Sequence, residues 1–290
     1  MLRGKPIAVV GLGELGVEIA QALALGGGPV ILHDTDDRAL RLAVGRISRR
    51  LDKAARLGRI TPQLARRAKM VFTISTELNA CASAGLVVEA IQDRLGLKQA
   101  LLQALDEVVS PEAVLALTSN TLSVTRLAAT TRHPERVIGL HFPRPAHVLR
   151  LVEVVRTPLT RPDALEEVSW LVRQCQRTPV VIDDAPGLIV NRVVHAYVSE
   201  ALALLDGGGL DEATIDRLLE AAGFPMGPFR LMDFLGLDRV LDMSAALYEA
   251  TFHQPRYRPQ PRLQRLVEAG RTGRKAALGG FFAAQSGDGA

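Results

Sequence analysis

Short apolar runs alternate with longer stretches of helical hydrophobic spacing through roughly the first two-thirds of the chain. Runs of this kind predict buried strands, and the stretches between them are long enough to form helices. The predicted strands are residues 6–10, 29–33, 70–74, 85–89, 114–118, 137–141, 150–155 and 178–182. Because strands that alternate with helices form parallel sheets covered on both faces, the pattern predicts an α/β fold with a doubly wound, mostly parallel sheet.

The pattern changes at residues 183–187, which read DDAPG and combine acidic residues with proline and glycine. Beyond this segment the apolar spacing is helical, and the predicted helices are residues 188–205, 211–222, 229–235, 238–252 and 261–269. Asp211 is the predicted N-cap of the second of these helices. The sequence therefore predicts an α/β domain at residues 1–183 and a smaller all-helical domain at residues 184–290.

A glycine-rich turn joins the first predicted strand to the first helix. Gly11, Gly13 and Gly16 form a GxGxxG pattern there, and Asp34 ends the second predicted strand. The pattern alone is weak evidence, but its place between strand and helix is typical of dinucleotide-binding domains, where the glycines allow a tight turn, a close pyrophosphate and close helix packing. Asp34 is expected to bind the adenosine ribose and to repel a 2′-phosphate. The sequence thus predicts a Rossmann-type domain that prefers NAD to NADP.

The composition is that of a globular protein, with 48% hydrophobic and 23% charged residues. No apolar run reaches the roughly 18 residues needed to span a membrane, and the N-terminus reads as a strand rather than a signal peptide. The two cysteines, Cys81 and Cys175, have neither disulfide-framework nor metal-ligand spacing. Reduced thiols, a cytoplasmic location and the absence of a metal site are therefore expected.

A strongly basic segment, residues 46–69, lies within a predicted helical arm at about residues 36–69. It has one acidic residue, Asp52, and its basic residues are Arg46, Arg49, Arg50, Lys53, Arg56, Arg59, Arg66, Arg67 and Lys69. A solvated helix face is the ordinary explanation of such a run, and a site for a polyanionic substrate tail is the functional alternative. Nucleic acid is not an expected partner, because the net charge is only +4 and aromatic residues make up 4% of the chain.

The candidate catalytic pair lies in residues 139–155. His141 ends one predicted strand, and Glu153 follows inside the apolar run of the next. A carboxylate in such a run is costly to bury unless it is paired, and a histidine one strand away is a natural partner. The two residues have the arrangement of a general base held by an acid. A structural hydrogen bond near a sheet edge is the alternative.

Together these motifs resemble the L-3-hydroxyacyl-CoA dehydrogenase family, which includes bacterial 3-hydroxybutyryl-CoA dehydrogenases. The resemblance covers essentially the whole chain, and the matching segments are, in order, GLGELG, LVVEAIQDRLGLKQALLQALD, TSNT, RHPERVIGLHF, RLVEVV, DAPGLIVNR, GFPMGPFRLMDFLGLD and EAGRTGRK. Their order and spacing are more specific than any one motif. The resemblance implies an NAD-dependent oxidoreductase that interconverts L-3-hydroxyacyl-CoA and 3-oxoacyl-CoA by hydride transfer.

The resemblance also implies roles for individual residues. His141 would take the proton from the substrate's 3-hydroxyl, Glu153 would orient the imidazole, and Asn191 would hydrogen-bond the substrate oxygen. The residues expected to contact NAD, besides the glycine-rich turn and Asp34, are Asp93, Lys98, Asn120 and Lys275. For two of these the alternatives are that Lys98 caps its helix and that Lys275 is a solvated tail residue. The basic segment falls where family members meet the nucleotide part of coenzyme A, and the helical domain is expected to form a homodimer.

Two residues depart from the family's motifs. Leu122 stands where the family has the first serine after SNT, a hydroxyl that touches substrate, and Thr121 or Ser123 is the candidate replacement. Arg144 stands where the family has an asparagine beside the cofactor, and a guanidinium there suits a carboxylate. Two alternatives to the leading hypothesis follow: a relative that oxidises a free hydroxy acid, such as a sugar acid or carnitine, and a catalytically weakened homologue that binds NAD or acyl-CoA.

Overall fold

The computed structural model describes residues 4–119 and 122–284. The chain divides into two compact units, Met1–Ala185 and Pro186–Ala290. The predicted boundary follows residue 183, whereas the observed division follows residue 185.

A single sheet forms the centre of the first unit. Its strands are β1 (Ile7–Val10), β2 (Val30–His33), β3 (Phe72–Ser75), β4 (Leu86–Glu89), β5 (Val114–Leu117), β6 (Val137–His141), β7 (Leu151–Arg156) and β8 (Thr178–Asp183). Their order is β3-β2-β1-β4-β5-β6-β7-β8. Every neighbouring pair is parallel except β6 and β7, which run antiparallel. The predicted Rossmann-type, mostly parallel sheet is therefore confirmed.

Helices connect the strands of this unit. Within the described residues they are α1 (Glu14–Ala24), α2 (Asp37–Arg56), α3 (Pro62–Lys69), α4 (Leu95–Val108), α5 (Val124–Ala128) and α6 (Pro162–Gln174). The strands β1, β2, β4 and β5 are buried along their whole length, as expected for parallel strands covered on both faces. Because β1, β2 and β6 are parallel, the glycine-rich turn, Asp34 and His141 all lie at the edge of the sheet where these strands end.

Two helices, α2 and α3, form the predicted helical basic arm. The chain leaves α2 at Leu57, and Gly58 adopts a left-handed φ of 67°. The next helix then starts afresh: the Thr61 side chain accepts a hydrogen bond from the Leu64 amide at 3.2 Å, and Pro62 occupies the first turn. A left-handed glycine followed by a capping threonine and a proline is a strong signal for the end of one helix and the start of another.

The described residues of the second unit form helices joined by loops, and none of them lies in a strand. Its helices are α7 (Val190–Asp206), α8 (Glu212–Ala221), α9 (Pro228–Leu235), α10 (Leu237–Ala250) and α11 (Pro261–Glu268). The Asp211 carboxylate accepts a hydrogen bond from the Thr214 amide at 2.7 Å, which confirms the predicted N-cap of α8. The core of the unit is formed by apolar side chains from all five helices, including Leu202, Ile215, Phe229, Val240 and Leu263.

Candidate active site

The glycine-rich turn between β1 and α1 has no room for a side chain at two of its glycines, Gly11 and Gly16. The third, Gly13, faces open space. A Cβ on Gly11 would lie 2.8 Å from Ile91 Cγ2, and a Cβ on Gly16 would lie 1.9 Å from the Gly11 carbonyl oxygen. A Cβ on Gly13, which is the N-cap of α1, would meet no atom within 4 Å. Packing within the unit therefore does not require a glycine at position 13. The absence of a side chain leaves room for a ligand's pyrophosphate at the helix N-terminus.

Asp34 holds the glycine-rich turn in place from the end of β2. Its Oδ2 accepts a hydrogen bond from the Leu12 amide at 2.7 Å, and its Oδ1 accepts one from the Asp36 amide at 3.1 Å. The second strand and the turn are therefore tied together at the position where the ribose of a dinucleotide binds in this layout. The sequence predicts the ribose role of Asp34, but not its hydrogen bond to the turn.

The structure brings His141 and Glu153 into direct contact. The two residues face each other in the antiparallel register of β6 and β7, and His141 Nδ1 lies 2.5 Å from Glu153 Oε2. His141 is 6% exposed and Glu153 is 1% exposed. When the Nδ1–H group donates to the carboxylate, the lone pair of Nε2 is left to accept a proton. The arrangement is that of a general base whose protonated form is stabilised by a buried carboxylate.

Lys98 lies inside the unit, and its main partner is Glu89, a contact that the sequence does not predict. Its side chain is fully buried, and its ammonium nitrogen lies 2.5 Å from Glu89 Oε2 and 3.8 Å from Asp93 Oδ1. Burial raises the pKa of the Glu89 carboxyl, while the charge and hydrogen bond of Lys98 act in the opposite direction. The lysine therefore forms a buried ion pair, and the alternative that it caps its helix is wrong.

Asp93 is joined to the loop that follows β5. The Ser119 hydroxyl lies 2.8 Å and 3.0 Å from the two oxygens of the Asp93 carboxylate, and the Leu122 amide donates to the same hydroxyl at 2.9 Å. Asn120, a predicted NAD contact, and Thr121, a candidate replacement hydroxyl, lie outside the described residues. The contacts hold Ser119 and Leu122 beside the acidic residue predicted to lie along NAD.

Ser123, the other candidate replacement for the hydroxyl missing at position 122, is engaged in hydrogen bonds at the start of α5. It is the N-cap of α5, where its oxygen accepts from the Arg126 amide at 3.1 Å and its hydroxyl donates to Asp184 Oδ2 at 2.9 Å. The same Asp184 oxygen accepts from both the amide and the hydroxyl of Thr125. The short helix α5 and the role of Asp184 are absent from the sequence prediction, although a serine before an apolar run is a signal for such a cap.

Two predicted site residues belong to the helical unit. Asn191 is half-buried in the first turn of α7. Lys275 is exposed in the segment after α11. This segment is held by Asp233, whose carboxylate accepts hydrogen bonds from the Phe281 and Phe282 amides at 2.7 Å and 3.0 Å. The roles of Asn191 and Lys275 stay predictions.

The part of the chain that the structure describes contains neither a membrane-spanning helix nor a metal cluster. None of its helices has both the length and the apolar character needed to cross a bilayer. Among the same residues, histidine, cysteine, aspartate and glutamate side chains form no group of three or more that is suited to hold a metal ion.

A dinucleotide-type turn and a buried histidine–carboxylate pair at one sheet edge define a dinucleotide-dependent oxidoreductase. Comparison with known proteins gives the particular family. Residues 6–185 match the NAD binding domain of 3-hydroxyacyl-CoA dehydrogenase, and residues 187–282 match its C-terminal domain. The chain belongs to the 3-hydroxyacyl-CoA dehydrogenase family, as the resemblance of its motifs predicts.

Individual relatives agree with this assignment. The chain is 37% identical over 280 residues to the 3-hydroxyadipyl-CoA dehydrogenase of Escherichia coli, covering 96% of this chain but 59% of that protein. It is 33% identical to the probable 3-hydroxybutyryl-CoA dehydrogenase of Bacillus subtilis, covering 95% of this chain and 96% of that protein. The crystal structure of (S)-3-hydroxybutyryl-CoA dehydrogenase from Ralstonia eutropha superimposes with a TM-score of 0.91 at 30% identity, over 97% of this chain and 99% of that chain.

Proposed function

We propose that this chain is an NAD-dependent 3-hydroxyacyl-CoA dehydrogenase that interconverts an L-3-hydroxyacyl-CoA and the corresponding 3-oxoacyl-CoA. The buried contact between His141 and Glu153 carries the proposal, because a pure binding protein has no need of a base held in this way. The pair lies at the same sheet edge as the glycine-rich turn. β1 and β6 are separated by three interstrand spacings, or about 14 Å, so one extended dinucleotide can reach from the turn towards the base.

Three side chains, His141, Glu153 and Asn191, have roles in the proposed reaction. His141 Nε2 takes the proton from the 3-hydroxyl of the substrate, and Glu153 stabilises the imidazolium that results. Asn191 donates a hydrogen bond to the substrate oxygen, a role implied by the family resemblance. NAD, when bound, supplies the hydride acceptor. In the reverse direction the protonated His141 returns its proton to the oxygen of the 3-oxoacyl group.

The structure weakens the case for a free hydroxy acid as substrate. Arg144 is the residue that favours such a substrate, because a guanidinium suits a carboxylate. Its Nη2 atom lies 2.6 Å from Glu14 Oε2 and 3.7 Å from Glu18 Oε1. The arginine thus already faces two carboxylates of the chain itself. Arg144 therefore no longer supports the hypothesis that the substrate is a free hydroxy acid.

Oxidation of NADH in the presence of acetoacetyl-CoA tests the proposal. The wild-type chain is expected to turn over this substrate and to leave free acetoacetate unchanged. Leu122→Ser, which restores the hydroxyl typical of the family, is assayed beside it. Activity in Leu122→Ser alone would mean that the missing hydroxyl disables the chemistry, and no activity in either protein would contradict the proposal.

The basic arm is proposed to bind the nucleotide part of coenzyme A. Arg49 and Arg56 of α2 line a shallow depression that Pro62 of α3 completes. Asp52 lies in the same depression, and Lys69 pairs with it at 2.5 Å, so its negative charge is compensated. Two arginines beside a neutralised acid leave a net positive surface, which suits the phosphates of coenzyme A.

Replacing both Arg49 and Arg56 with alanine is expected to raise KM for acetoacetyl-CoA by about tenfold or more, given the strength of charge-assisted hydrogen bonds, with kcat nearly unchanged. The arginines would bind a part of the substrate that does not change during the reaction. Steady-state kinetics measures the effect, with Arg41→Ala on the same helix as the matched control. Acetoacetyl-pantetheine lacks the nucleotide, so an equal rise of its KM would contradict the assignment.

A homodimer formed through the C-terminal helices and a cytoplasmic location complete the proposal. Large apolar side chains are exposed on α7 and α8, at Val193, Leu204 and Leu218. Such surface suits a subunit interface. Light scattering is expected to give twice the chain mass of 31.3 kDa.

The cytoplasmic location is supported by Cys81 and Cys175, which are buried and unbridged.

A further inference from the structure

An acidic residue stands in the glycine-rich turn, where a dinucleotide brings negative charge. Glu14 is the first residue of α1 and follows Gly13 directly. The N-terminus of this helix is the place at which the pyrophosphate of a dinucleotide binds in the Rossmann layout. A carboxylate in the first turn benefits from the helix dipole, but it repels a diphosphate that approaches the same helix end. The turn therefore needs a compensating positive charge.

Arg144 supplies a positive charge at this position. It lies in the loop after β6, three residues beyond His141 in the sequence. Its Nη2 atom approaches Glu14 Oε2 to 2.6 Å and Glu18 Oε1, one turn further along α1, to 3.7 Å. The Arg144 side chain is 31% exposed and that of Glu14 is 42% exposed, so the pair lies at the surface of the turn and faces outwards in part.

Glu18 anchors the loop that carries Arg144 to α1. It is 3% exposed, and its Oε2 atom accepts a hydrogen bond from the Ala146 amide at 2.7 Å. His147 Nδ1 and Arg50 Nη2 lie 3.7 Å and 3.9 Å from its other oxygen. Burial acts to raise the pKa of Glu18, but His147, the Ala146 amide and Arg144 together hold this pKa below its usual value. Glu18 is therefore a charged, buried anchor for the loop.

We propose that Arg144 is a positioning residue for the cofactor, because its guanidinium neutralises Glu14 beside the diphosphate. Contacts between the loop of Arg144 and Glu18 hold the guanidinium over the turn. The inference rests on the proposed function, since it assumes that NAD binds at this turn. The guanidinium that replaces the family's asparagine thus acts on a residue of the chain itself, and a substrate carboxylate is not its partner. The same contacts link the end of the strand that carries His141 to the helix that binds the cofactor.

The Kd of NADH, measured by fluorescence titration of the full chain, tests this inference. Arg144→Met is expected to raise Kd by about tenfold, the effect of one uncompensated charge, and the increase should shrink at high salt. The double variant Glu14→Gln/Arg144→Met is expected to recover the affinity, because the repelling carboxylate is gone. Arg144→Lys should stay close to the wild type, since it keeps the charge.

Arg156→Met is the matched control. Arg156 pairs with Asp183 at 2.6 Å, and the antiparallel course of β7 places it at the opposite edge of the sheet, so its loss should leave Kd unchanged. Failure of the double variant to recover would show that Arg144 binds the cofactor directly and would overturn the inference, as would an unchanged Kd in Arg144→Met. If the wild type bound no NADH, the proposed function itself would fail.

Discussion

Replacing His141 with glutamine is expected to lower kcat for acetoacetyl-CoA reduction by about 10²–10⁴-fold, the usual contribution of a general acid or base. The glutamine amide can still donate a hydrogen bond to Glu153, so the buried carboxylate keeps a partner and the fold is preserved. What is lost is the nitrogen that exchanges a proton with the substrate oxygen. Stopped-flow or steady-state oxidation of NADH measures the loss, and the Kd of NADH should stay that of the wild type.

Glu153→Gln provides the comparison for this result. The imidazole remains, but the carboxylate that stabilises its protonated form does not. We therefore expect a smaller loss of kcat than in the His141 variant, again without a change in the Kd of NADH. A His141→Gln variant that keeps more than about a tenth of the wild-type rate would show that His141 is not the general base, since that loss is below the range for such a group. The buried pair would then be structural.

The fold is largely predictable from the sequence because its signals are local. The strands of the parallel sheet are continuous apolar runs, and the GxGxxG turn stands between the first strand and the first helix. The pairing of His141 with Glu153 is also accessible, because a buried carboxylate needs a partner and the two residues lie on consecutive strands. The register that places them directly opposite each other comes from the structure. Their catalytic role stays a prediction.

Contacts between distant segments are the part that the sequence does not predict. Glu18 and the Ala146 amide are 128 residues apart in the chain, and no local pattern joins them. The pairing of Lys98 with Glu89 likewise depends on how α4 packs beside the end of β4. The break in the basic arm is a different case, since Gly58 and the Thr61-Pro62 pair signal it locally.

Replacing Lys98 with methionine is expected to destabilise the first unit by about 3–5 kcal/mol, because the Glu89 carboxylate is left buried without its cation. For a unit of this size the loss corresponds to a fall in Tm of roughly 10 °C. The ammonium of Lys98 and the carboxylate of Glu89 are both fully buried, so solvent does not screen the pair. Thermal unfolding followed by circular dichroism at pH 8 measures the effect.

The loss of stability in Lys98→Met should diminish as the pH falls from 8 towards 5. Burial already raises the pKa of Glu89 above its usual value, and the variant removes the lysine that opposes this shift. At a pH between the pKa of Glu89 in the unfolded chain and its pKa in the folded chain, the folded chain binds a proton at Glu89 and the unfolded chain does not. The free energy of unfolding of the variant therefore rises as the pH decreases through the folded-state pKa. Glu89→Gln/Lys98→Met, which is neutral at both positions, is the matched control and should lie closer to the wild type at pH 8. A deficit in Lys98→Met that is the same at both pH values, or absent, would mean that Glu89 is compensated by another group and that the ion pair does not hold this part of the site.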